Sequence, residues 1–291
     1  MIFLIGSIVF SSYLTLSFKL LERYGINNLH AIVFNYITCV VTGTILNGHN
    51  IFKPVLVQQP WFPWAILMGS LLISLFNIIG YTAQRSGVSV ASVANKLSLV
   101  IPFIFSIVLY GEQPTVLKIA GILLAFPAVI WVSQREGGER SATGKPIALP
   151  LLPLVLFIGS GLLDTLIKFV ENSFLDGSNN NDFLICAFAV AATFGIGIIG
   201  WQITSGKARL NWKAVVAGIA IGVPNYFSIW CLVKVLKVNA GKSSAIIPVN
   251  NMGIVAFSTL VAAVLFHEKL SRKNWLGIFL SMAAIALIAY G

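Results

Sequence analysis

Ten apolar runs, each about 20 residues long and parted by short polar stretches, constrain this chain more than anything else in it. They lie near 2–21, 29–46, 61–84, 88–111, 115–134, 149–169, 183–204, 212–236, 243–266 and 272–290. A helix rises 1.5 Å per residue, so a run of that length crosses a hydrocarbon core about 30 Å thick. The breaks "ERYGINN", "NGHNIFKPVLVQQP", "REGGERSATGKP", "ENSFLDGSNNND" and "TSGKARLNW" gather Gly, Pro, Asn and charge, which end helices and favour water. "QRSGVS", "GEQPT" and "FHEKLSRK" leave only short turns, so the helices they join are antiparallel neighbours. Hydrophobic residues make up 57% of the chain and charged ones 10%, against about a quarter charged in a soluble domain. A core of 291 residues leaves much of its surface in water, so the surrounding solvent is lipid. Transmembrane β-strands alternate apolar and polar residues, and these runs do not. The reading is an all-α integral membrane fold of ten transmembrane helices, with no room for a soluble domain. The first run has no basic stretch before it and no small-residue cleavage site after it, so it is expected to remain as a span.

The same sequence pattern occurs twice. At an offset of 156, Glu112 falls on Glu268, Thr115 on Ser271, Lys118 on Asn274, Gly121 on Gly277, Ile122 on Ile278 and Leu124 on Leu280, without a gap. Upstream, "YTAQRSGVSVAS" and "WCLVKVLKVNAGKSS" correspond more loosely as an aromatic, a basic residue and a small-residue turn. Residues 1–134 thus form a first five-helix repeat, 135–148 a charged linker and 149–291 a second five-helix repeat. Five is odd, so the second copy enters the membrane from the opposite side. Inverted repeats are the architecture of alternating-access transporters, with the substrate site near the midplane between the halves.

Polar residues inside the spans are the site candidates, because a charge at bilayer depth costs at least about 2.5–3.5 kcal/mol. Lys96 lies roughly 12 Å along the fourth span, near the midplane. Its neighbour Asn95 falls at the repeat offset on Asn251, beside Asn250. Lys96 is read as a cation for a carboxylate or phosphate, with Asn95, Asn250 and Asn251 as hydrogen-bonding partners; the structural alternative is an internal ion pair with Asp164. By helix counting the two differ by about 9 Å in depth, and Lys168, one turn on, is a second partner for Asp164. As the only acid well inside a span, Asp164 is also the candidate coupling carboxylate. Trp230, Tyr81 and Tyr226 are candidates to line a pocket or to pack. Asn35, Asn77 and Asn225 read as polar glue between helices, and Pro102, Pro224 and Pro248 as kinks. The two glutamates, Glu112 and Glu268, read either as partners of the helix starts at Thr115 and Ser271 or as gates at the membrane edge.

Other classes of function fit poorly. The net charge is +10, but the basic residues are scattered over short loops, so no nucleic-acid partner is expected. Cys39, Cys186 and Cys231 fall inside spans as small apolar residues and give no metal-ligand spacing. His30, His49 and His267 sit at span ends, and neither an H-E-x-x-H pattern nor a phosphate-cradling Gly loop occurs, so no catalytic residue, metal or cofactor is expected. A non-transporting scaffold or receptor is the alternative reading; the polar midplane residues inside an inverted repeat count against it.

The turns Glu112 to Thr115 and Glu268 to Ser271, each followed by a Gly-containing last helix, resemble those of the drug/metabolite transporter superfamily in its ten-helix EamA branch. The stretch "NAGKSSAIIPVNNMGIVAFSTLVAAVLFHEKLS" resembles the ninth helix of that family. The resemblance implies export or exchange of a small metabolite across a bacterial inner membrane, with both termini in the cytoplasm, and leaves the substrate unnamed; the reading of Lys96 as a cation makes that metabolite anionic or zwitterionic. Two halves in one chain let a monomer suffice, with a dimer as the second arrangement. Charge favours the opposite orientation. Loops on the N-terminal side hold Lys53, Lys118, Lys168, Lys234, Lys237 and Lys242, whereas the other side holds Lys19, Arg23, Arg85, Arg135, Arg140, Lys145, Lys207, Arg209, Lys213, Lys269, Arg272 and Lys273.

Overall fold

The computed structural model describes residues 2–48, 51–52, 54–110, 115–133, 151–176, 179–238 and 243–290. Helices dominate them, and no strand occurs among the described residues. In order they are α1 Ile2–Arg23, α2 Asn28–Asn47, α3 Phe62–Ser86, α4 Val88–Leu97, α5 Val100–Tyr110, α6 Val116–Ser133, α7 Leu151–Phe174, α8 Asn180–Thr204, α9 Trp212–Val238, α10 Ser243–Leu265 and α11 Arg272–Tyr290. A short 3₁₀ turn, Pro54–Gln58, precedes α3. Helices α4 and α5 share one apolar stretch, Val88–Phe105, and count as a single span. Eight spans are long and apolar enough to cross a membrane; α6 is a shorter apolar helix, and α11 supplies the tenth with 19 residues.

Local chemistry sets the ends. Asn27 accepts a hydrogen bond from the His30 backbone N–H at 3.3 Å and caps α2, which stops at Gly48 in the left-handed region (φ 74°). At α11, Ser271 and Asn274 form a reciprocal capping box, at 2.9 and 3.1 Å. Thr115 caps α6 by accepting from the Lys118 N–H at 3.3 Å. Thus both repeats begin their last helix with a hydroxyl cap at the matching position.

Packing follows the repeat. Helix α2 packs on α9 as α8 packs on α3, and α1 packs on α9 and α10 as α7 packs on α3 and on the α4–α5 span. Three contacts pair a span with its own counterpart: α6 with α11, α2 with α8, and α4 with α10. The two halves therefore meet about a pseudo-two-fold axis in the membrane plane. At the α6–α11 contact small residues let backbones touch. A Cβ on Gly121 would lie 2.8 Å from the Ala284 carbonyl oxygen, and one on Gly277 would lie 2.9 Å from that of Ala128. These are the repeat-matched glycines, and each faces the partner helix's main chain.

The symmetry is incomplete. Helix α1 also packs on α3 and α4, but its counterpart α7 makes no comparable contact with α9 or α10 among the described residues. Taking the Ile2 end of α1 as side one, the side-two ends of α1, α2 and α3 are tied by Gln84. Its amide exchanges hydrogen bonds with Asn28 at 3.0 and 2.8 Å and donates to the Phe18 carbonyl at 2.9 Å, while Lys19 donates to the Gln84 carbonyl at 2.9 Å.

Candidate functional site

Span four is not one helix. It stops at Leu97, turns through Ser98 and Leu99, and restarts at Val100. The sequence reading gave a continuous span over 88–111 with a kink at Pro102; the structure replaces the kink with a break. The cause is local. Pro102 has no N–H for the Ser98 carbonyl, which accepts instead from Ile101 at 2.9 Å, three residues on. The Ser98 hydroxyl donates to the Asn95 carbonyl at 2.5 Å, a side-chain bond that competes with the helix ladder. Pro127, Pro224 and Pro248 each sit inside helices that run through them, so proline alone does not break a span here.

The break carries the charged candidates. Lys96 stands in the last turn of α4, where the negative end of a helix dipole favours a cation. Asp164, near the middle of α7, is exposed and lies 3.5 Å from the Ser98 hydroxyl. Lys96 and Asp164 feel each other's charge, yet they stand beyond the 4.0 Å of a direct ion pair. The depth difference expected from counting is bridged by Ser98, which reaches Asp164 from one residue past Leu97. Asn95 and Lys96 are half-buried.

Opposite, α10 presents Asn250 and Asn251. Asn250 is 2% exposed, and its side-chain oxygen has no hydrogen-bond partner; Asn251 is half-buried. A buried amide oxygen without a partner costs about 1–3 kcal/mol, and Asn250 shares that state with other buried groups such as Asn35 Nδ2 and Thr259 Oγ1. Span four leaves α10 at the break: α4 packs on α10, whereas α5 packs on α7 and makes no comparable contact with α10.

Other candidates lie apart from this centre. Trp230, roughly 12 Å from the side-one end of α9, packs edge-on to Phe3 and Phe227 at 5.7 and 6.0 Å with Lys234 over its ring. Tyr81 is 46% exposed, roughly 8 Å from the side-two end of α3. Tyr226 is buried against Phe227. Asn225 donates to Asn35 at 3.0 Å and joins α9 to α2, while Asn77 bonds back to the Ile73 carbonyl of its own helix. Glu112 lies outside the described residues.

Glu268 does something its own sequence neighbourhood does not announce. Its carboxylate bonds not to α11 but to the start of α4. It accepts from the Val88 N–H at 2.6 Å, the Ser89 N–H at 3.4 Å and the Ser89 hydroxyl at 2.9 Å. Ser89, Ser98 and Gly87 were not singled out by sequence, and the Ser-x-x-x-Pro spacing of Ser98 and Pro102 does not signal the break, because Ser244 and Pro248 share it in the continuous α10.

A helical membrane protein built twice in opposite orientation, with a broken helix and charged side chains at mid-depth, belongs to the architecture of secondary transporters. The comparisons agree. The model of the EamA-like transporter family matches residues 1–134, so the first repeat of the chain is similar to that family of membrane transporters. An uncharacterized protein of Haemophilus influenzae is 28% identical over 293 residues, covering 99% of this chain and 97% of that one. A protein of known crystal structure shares the fold with a TM-score of 0.56 at 17% identity, over 98% of this chain and 94% of its own.

Proposed function

We propose that this chain is a secondary transporter that exports or exchanges a small charged metabolite, anionic or zwitterionic, by alternating access in the inner membrane. Residues 1–134 and 149–291 act as the two repeats, joined by the linker 135–148, with both termini in the cytoplasm. The substrate site is placed where span four breaks. Lys96 meets the substrate's carboxylate or phosphate, and Asn95, Asn250 and Asn251 hydrogen-bond its polar groups. Asp164 holds the coupling proton or the substrate's cationic group. Trp230 closes the wall toward side one, and Tyr81 stands toward side two.

One observation carries the reading: the break at Ser98–Leu99 brings an exposed aspartate to 3.5 Å from the Ser98 hydroxyl, two residues past a half-buried lysine with which it makes no direct ion pair. Ionisable residues inside a span are costly and mark functional sites by default, and these two make no direct ion pair with each other. Broken helices of this sort form substrate and ion sites in transporters. The test is uptake and counterflow in liposomes containing the purified protein, with amino acids, organic acids, sugar phosphates and nucleotides as solutes. A solute that crosses with the wild type and not with Lys96→Ala supports the site; no protein-dependent movement of any solute would remove the transport reading.

A further inference from the structure

The seam between α4 and α10 is bonded from side two inward and ends at the break. Outermost is the Glu268 carboxylate on the first turn of α4. One turn deeper, Ser258 donates to Ser92 at 2.8 Å, both hydroxyls buried. Deeper still, α10 is held to the first repeat by α1 rather than α4, its Ile254 carbonyl accepting from the Ser12 hydroxyl at 3.4 Å. Beyond Leu97 the seam parts, because α5 turns to α7. This conformer is therefore shut on its side-two half along α4 and α10.

The outermost bond is made across the repeats, between residues 180 apart in the chain. The first turn of α4 has no acidic residue, and Gly87 before it supplies no side-chain cap. The first N–H groups of a helix need outside acceptors, and here a carboxylate from the second repeat provides them. Gly87 has φ 108°, and a Cβ there would lie 3.2 Å from the Glu268 Oε1, so the glycine gives the carboxylate room. His267 adopts φ 51°, a left-handed residue that reverses the chain just before Glu268.

We propose that Glu268 is the latch of the side-two gate: its grip on the first turn of α4 holds the two repeats together in this conformer, and its release accompanies opening to side two. The proposal rests on the alternating-access reading. Released at the membrane edge, both partners find water, so the latch is reversible. It biases an equilibrium between conformers.

Labelling tests this without a substrate. In a chain whose Cys39, Cys186 and Cys231 are replaced by Ala, Ser92→Cys provides a reporter one turn inside the latch, at a position 1% exposed, and Thr165→Cys on half-buried α7 reports the other wall. Both are read with a charged, membrane-impermeant maleimide on protein in lipid nanodiscs. Adding Glu268→Ala is expected to raise the Ser92→Cys rate about tenfold, as loss of a charge-assisted cap shifts the populations, and to lower the Thr165→Cys rate. Glu268→Gln and Ser89→Ala, which keep the shape of the turn, give smaller rises and carry the test if Glu268→Ala does not fold. Unchanged rates in all variants, or rises at both reporters together, which signal general loosening, overturn the latch. Because no solute is needed, such a result leaves the transport reading standing, and a failure of transport leaves the labelling result readable.

Discussion

Span four and its repeat counterpart α10 carry aligned asparagines, yet one is broken and the other runs on. At the offset of 156, Asn95 falls on Asn251, Lys96 on Met252, Ser98 on Ile254 and Pro102 on Ser258. Where the first repeat has a serine that bonds a backbone carbonyl and a proline that withholds an N–H, the second has Ile254 and Ser258, and α10 passes through as one helix. Its own Pro248 does not interrupt it. The lesson is that a proline marks a weak point and a second, competing hydrogen bond converts it into a break. The charge follows the break: the broken span bears Lys96 against Asp164, and the continuous one bears only amides.

The largest effect should come from the charged side of this comparison. Lys96→Ala and Asp164→Asn are each expected to lower the uptake rate of a transported solute by about a hundredfold, the scale of losing a charge contact of 2–3 kcal/mol. Asn251→Ala, on the continuous helix, should lower it by about tenfold or less. Equal losses at Lys96 and Asn251 would erase the distinction between the two spans. Next, Ser98→Ala with Pro102→Ala should heal the break. Removing a proline from a helix interior relieves roughly 3 kcal/mol, so the melting temperature rises while uptake falls, and a healed protein that transports normally would break the argument. Smaller again are the matched glycines of the α6–α11 contact. Gly121→Val and Gly277→Val should each cost about 1–3 kcal/mol and by similar amounts, read as melting temperature in detergent; a large difference would mean the pseudo-symmetry is not energetic. Least of all, Pro248→Ala should leave uptake near wild type, since α10 already runs through that position, and a severe loss there would reveal a hinge in the second repeat too.

Much of this architecture was legible in the chain because hydropathy is a local property. Each span appears where an apolar run predicts it, with ends at the Gly, Asn and Pro clusters. Lys96, Asn95 and Asn251 could be placed at mid-depth by counting. The break could not be read, because it depends on which way the Ser98 hydroxyl turns, and a run of apolar residues looks the same whether or not the ladder is interrupted. Counting put Asp164 about 9 Å deeper than Lys96 and did not point to Ser98, whose hydroxyl lies 3.5 Å from its carboxylate. Glu268 shows the deepest limit. Its Glu-x-x-Ser spacing reads as a cap for the next helix, and Ser271 with Asn274 does cap that helix, leaving the carboxylate for a helix start 180 residues away. Nothing periodic in a sequence encodes that partner.

The central claim is that the break in span four is where substrate binds. Its most direct test is a thermal-shift screen of purified wild type and Lys96→Ala against amino acids, organic acids, sugar phosphates, nucleotides and cationic drugs, since a ligand that binds the folded protein stabilises it by mass action. The account predicts that an anionic or zwitterionic metabolite raises the melting temperature of the wild type and leaves that of Lys96→Ala unmoved. A metabolite that stabilises both proteins equally would place the site elsewhere along the interface of the repeats and contradict the account.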